Sequence, residues 1–161
     1  MRANQNTGLN ALTSLNFNVT TIMSENSLTN QLTTGKWDVV VIEQYSFWLS
    51  SNAALVVQDY VAKGGAVIAS YYDIDGENSG PDSLASAPIL RATFGVQSTV
   101  SLDVPQPVSA WQAAHPVFTT PYAIGGLATN GNDAWVDNGD RMDPVANTAQ
   151  ALAGFTAASQ Y

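Results

Sequence analysis

Cysteine is absent from the 161 residues. That excludes disulfides, thiolate metal sites and a Cys nucleophile together. Charge is scarce as well: 11% of residues are Asp, Glu, Lys or Arg, against roughly 25% in ordinary soluble domains. Solubility therefore rests on the many Asn, Ser, Thr and Gln side chains. Positive charge is scarcest, with five Lys plus Arg against thirteen Asp plus Glu and a net charge of -8. Phosphate binding needs a basic surface, so nucleic acid is not expected as a partner, and neither is an anionic membrane. No apolar run is long enough to span a bilayer, and the opening MRANQNTGLNAL is too polar for a signal peptide. Few lysines and a polar uncharged surface point to an extracellular or periplasmic location, with any export signal outside this chain.

What is present is apolar enough for one real core, since 45% of residues are hydrophobic. Residues 37–75 organise the chain. They open with Val39, Val40, Val41 and Ile42, a β-branched run suited to a strand buried on both faces. Ser50, Ser51 or Asn52 is placed to cap a helix. Ala53, Val57, Tyr60 and Val61 then recur at helical spacing, and Gly64 fits the left-handed position that ends it. A second apolar run, residues 66–69, follows at once. Strand, helix and strand in this span predict a βαβ unit with a right-handed crossover.

The flanks extend the pattern. Leu9, Leu12 and Leu15 predict a short helix over residues 7–16, and FNVTTI at 17–22 alternates as a strand. Leu28 and Leu32 predict a helix over 27–33. DIDGENSGPDS, at 73–83, reads as a loop. Pro88 fits a helix's first turn, with Leu90 and Phe94 one turn apart and Gly95 ending it. Val100, Leu102 and Val104 share one face of a predicted edge strand over 98–104. Beyond Pro105 the pattern weakens to apolar anchors, a polar excursion at 130–143, and a segment at 146–155 that fits a strand or a helix. No linker divides the chain, so a single domain over residues 1–161 is expected.

The motifs W-D-V-V-V-I, D-Y-V-A-K-G-G-A-V-I-A, L-x-x-x-F-G-V and H-P-V-F together resemble the class I glutamine amidotransferase-like superfamily, including its trehalose-utilisation-type relatives. The resemblance covers roughly residues 9–127. It implies an α/β, three-layer flavodoxin-like domain with a mostly parallel sheet. A doubly wound sheet usually begins with a strand, whereas this chain opens on its first helix. The expectation is that the natural polypeptide begins upstream or that a strand comes from another subunit. At the turn where active members of the superfamily carry a Cys nucleophile stands Ser70, followed by Tyr71, Tyr72 and Asp73, with no glycine to form a tight elbow. The later His-x-Glu pair is missing too. A degenerate, non-catalytic member is implied.

Three groups of residues remain as candidates. Glu43, Gln44 and Tyr45 end one predicted strand, and Tyr71, Tyr72 and Asp73 end the next. Open α/β sheets bind ligands outside the carboxyl ends of their strands. This crevice is suited to a small polar ligand or a sugar. Asp73, Asp75, Glu77 and Asp82 form an oxygen-rich loop of the kind calcium takes, but Gly76 and Leu84 depart from a calcium-loop pattern, so a solvated acidic loop is the better reading of these residues. Ser70 with His115 is the remaining nucleophile and base pairing, yet the His115–Pro116 step fits a structural turn. Trp37, Phe47, Trp48, Trp111 and Trp135 read as packing residues, and an exposed Phe47–Trp48 pair would mark an interaction surface. No glycine-rich phosphate loop is present.

The function expected is ligand binding or protein assembly, with a protein partner or a second copy of the chain. The alternative is a hydrolase or carbohydrate-processing enzyme using Glu43 and Asp73 as acid and base. A further alternative is a calcium-stabilised extracellular module.

Overall fold

A computed structural model describes residues 7–44, 49–71, 74–76, 81–102, 105–127 and 140–157. The chain divides into two compact units, Met1–Thr93 and Phe94–Tyr161. The first contains helix α1 (Thr7–Ser14), helix α2 (Glu25–Thr34), strand β1 (Val40–Gln44), helix α3 (Ser51–Ala62), strand β2 (Val67–Tyr71) and all but the last residue of helix α4 (Pro81–Phe94). Helices and strands mix throughout, so the protein is of the α/β kind.

The expected βαβ unit forms. β1 and β2 pair in parallel, from Val40 opposite Val67 to Gln44 opposite Tyr71. Ser50 caps α3, its hydroxyl accepting from the Ala53 N–H at 3.3 Å. Gly64 has φ +92 beyond its end. There the Gly65 N–H bonds Tyr60 O and the Gly64 N–H bonds Val61 O, which satisfies two carbonyls the helix leaves over. Ala53, Ala54 and Val57 are fully buried, and with Leu28 of α2, Ile42, Leu49, Ile74, Ala87 and Leu90 they make the core. Small side chains at 53 and 54 let α2 pack closely on α3.

Two local expectations are corrected. Residues 17–22 join no ladder and run as an exposed arm, with Phe17 53% and Met23 92% accessible. A strand needs a partner, and among the described residues this sheet has two members, β1 and β2. Asn16, at φ 59, also closes α1 as Gly64 closes α3, and the Phe17 N–H is taken by Leu12 O. Second, α4 opens at Pro81 and carries Pro88 inside it, because the earlier proline already stands in a first turn, where its missing N–H is harmless. β2, built on the second apolar run, is largely open to solvent along its middle, with Ile68 61% exposed.

The second unit contains β3 (Val96–Ser101), β4 (Ser109–Ala110), helix α5 (Pro116–Thr119), β5 (Asp140–Pro144) and β6 (Ala153–Gly154). β3 pairs antiparallel with β5, and β4 with β6. The polar excursion of 130–143 therefore ends in a strand: Asp140 and Asp143 lie in β5, and Asp143 Oδ1 is 3.7 Å from the Arg141 guanidinium. The segment 146–155 contributes the short strand β6. Trp111 anchors it, its indole N–H donating to Thr156 O at 2.8 Å while its ring lies against Gly154.

Candidate functional site

The carboxyl ends of β1 and β2 bring Glu43 and Ser70 to adjacent positions, with Gln44 opposite Tyr71 one residue on. These ends are laced into the surrounding backbone. The Glu43 carboxylate accepts the Gly8 N–H at 2.8 Å. A Cβ on Gly8 would stand 3.0 Å from that carboxyl carbon, so the absence of a side chain lets the two approach. Gly8 lies in the first turn of α1, where main-chain N–H groups have no helical partner and a negative charge is favoured. Glu43 thus caps a helix from 35 residues away.

Tyr71 does a similar thing one strand over. Its hydroxyl accepts the N–H of Leu49 at 2.6 Å, and Leu49 is itself 2% exposed. The next N–H, that of Ser50, donates to Glu25 Oε1 at 2.6 Å. Glu25 opens α2, immediately after its cap Ser24. Two side chains, from β2 and α2, therefore hold the residues that lead into α3.

The turn after β2 is held in the same manner. Arg91 of α4 donates from one nitrogen to the carbonyls of Ile74 and Asp75, each at 2.8 Å. Those two main-chain oxygens are of the kind a calcium loop would present to the ion. Asp75 sits in this turn, and Asp82 falls inside α4 rather than in a loop. Among the described residues no group of three or more acidic or imidazole side chains is gathered as a metal site. Tyr45, Phe47, Trp48, Tyr72, Asp73, Glu77, Asp133, Trp135 and Asp137 lie outside the described residues.

Ser70 and His115 belong to different units. His115 caps α5, its Nδ1 accepting the Val117 N–H at 3.2 Å, in keeping with a structural His-Pro turn. The second unit also holds an open cavity of about 470 Å³. Val108, Phe118, Ile124 and Leu127 give it an apolar wall beside Gly125 and Gly126. The sequence gives little sign of it, because its wall is gathered from short, irregular segments without periodicity.

Glu25 and Arg91 were not legible as site residues. Ser24 and Ser27 mark a cap, but nothing near Glu25 signals that its carboxylate reaches a helix start 25 residues on. No described helix is long and apolar enough to cross a membrane. Fold and site together define an α/β protein whose parallel strand ends are bound up with their own backbone. The chain matches no protein-family model, no curated protein and no solved structure.

Proposed function

We propose that this chain is a non-catalytic α/β module of the amidotransferase-like kind, three-layered and flavodoxin-like in its first unit, and that it serves protein assembly. The observation that carries the reading is the engagement of Glu43: its carboxylate accepts the Gly8 N–H at the start of α1. A carboxylate used as a helix cap holds structure together. An acid or base must instead face the substrate atom whose proton it moves. The Tyr71 hydroxyl, bonded to the Leu49 N–H, supports the same reading, since a sugar-binding hydroxyl is turned toward its ligand. The missing Cys nucleophile and the cap role of His115 agree with it.

The test compares wild type with Glu43→Gln and Glu43→Ala, measuring thermal stability and hydrolysis of glutamine and of chromogenic glycosides. The expected result is a stability loss in the variants and no turnover in any of the three proteins. Turnover by wild type that Glu43→Gln abolishes overturns the proposal in favour of a hydrolase.

A further inference from the structure

We propose that the open cavity of the second unit binds one small, uncharged, largely apolar ring molecule, with Phe118 and the bare main chain of Gly125 and Gly126 in its wall. The assembly reading rests on contacts within the first unit, so this site stands or falls independently of it.

Two glycines point to the ligand. Each of the other described glycines has a reason within the fold. A Cβ on Gly8, Gly35, Gly65 or Gly154 would stand 3.0, 2.3, 2.2 or 2.1 Å from a neighbouring atom. Gly64, Gly76 and Gly95 have positive φ. Gly125 and Gly126 are not among the positive-φ glycines, and a Cβ on either would meet no atom beyond its chain neighbours within 4 Å. Neither backbone conformation nor packing calls for glycine at these two positions, yet both line the cavity. A missing side chain there lets a ligand come close to the backbone.

The wall sets the chemistry of the occupant. Val108, Phe118, Ile124 and Leu127 make it apolar, Ser109 is the hydroxyl residue in it, and no charged residue lines it among the described residues. A charge brought there from water would lose hydration without gaining a counter-charge. The net charge of -8 disfavours an anion most. Ile124 is 54% exposed and offers apolar surface that a ring would cover. The volume of about 470 Å³ falls within the range of small-molecule sites, about 300–1,000 Å³.

The segments that form the wall are held by their own hydrogen bonds. Ser109 and Ala110 pair with Gly154 and Ala153, and the Gln112 side-chain amide donates to Ala151 O at 3.0 Å. In the segment that carries Phe118, the Thr120 N–H donates to Pro116 O and the Ile124 N–H to Phe118 O, each at 2.8 Å. A wall fixed in this way needs little further ordering when a ligand enters.

The experiment titrates the full chain with 2-naphthol, uncharged at neutral pH, and with 2-naphthoate, its carboxylate counterpart, following amide chemical shifts. The expected result is saturable binding of 2-naphthol at one site per chain, with the shifts concentrated at residues 109–113 and 124–127. 2-Naphthoate should bind about tenfold or more weakly. The double variant Gly125→Ala/Gly126→Ala should melt no lower than wild type, because each Cβ has open space, and should bind 2-naphthol about tenfold more weakly. Ala113→Phe, at an exposed position of the wall, should block the site. Absence of saturable shifts overturns the proposal, as does equal binding of the two probes or wild-type affinity in either variant. A lower melting temperature in the double variant also overturns it, by showing the glycines to be structural. So does a dimer of the ligand-free chain that covers residues 109–113 and 124–127, which would make a second copy the occupant.

Discussion

Glu43 and Tyr71 turn their polar ends toward main-chain N–H groups of their own unit, and that choice of partner decides what each can do. Replacing Tyr71 by Phe leaves the Leu49 N–H without its acceptor in a place that is 2% exposed. A buried donor left unpaired costs about 1–3 kcal/mol, so Tyr71→Phe should lower stability by that amount in denaturant unfolding. Glu43→Ala removes a helix cap, for which about 0.5–2 kcal/mol is usual, and Glu43→Gln should lose less because an acceptor remains. The strand-end positions of both residues could be read from the chain, since apolar runs mark where β1 and β2 stop. Their partners could not. Gly8 and Leu49 are 35 and 22 residues distant, and no local pattern encodes which N–H a side chain meets across a fold.

At the level of elements, α4 shows how a helix and a turn depend on each other. Leu90 is 1% exposed, and one residue later Arg91 clasps the carbonyls of Ile74 and Asp75. Leu90→Ala should cost about 2–5 kcal/mol through lost burial and the cavity left behind. Arg91→Met keeps much of the apolar stem but leaves two carbonyls without their donor. It should expose the turn at 74–76 to proteolysis with a smaller change in melting temperature. In the second unit, a Cβ on Gly154 would come within 2.1 Å of the Trp111 ring, which its Thr156 hydrogen bond holds in place. Gly154→Ala is therefore expected to destabilise by about 1–3 kcal/mol, as overpacking does, and to shift the tryptophan emission. Helix α3 was legible almost to the residue, because its cap, its apolar face and its Gly64 stop are all local signals. The start of α4 was not, because Pro81 and Pro88 each satisfy the same local rule and only tertiary packing chose between them.

For the molecule as a whole, calcium gives a direct test. Arg91 already occupies two carbonyl oxygens that an ion at the 73–82 loop would want, and Asp82 lies in a helix. Melting temperature should be the same in millimolar calcium and in chelator; a rise with calcium would favour the calcium-stabilised module instead. Composition by itself determined that no thiol chemistry operates here and that the surface is acidic and sparsely charged. Periodicity determined the βαβ unit, because a helix cap, a helix face and a β-branched run are properties of neighbouring residues. Whether residues 17–22 became a strand was decided only in three dimensions, since a strand exists by virtue of the edge beside it. The roles of Glu43, Tyr71 and Arg91 were decided there too. A carboxylate, a phenol and a guanidinium are equally able to bind a ligand or a backbone, and the choice belongs to whichever group the folded chain brings within about 3 Å.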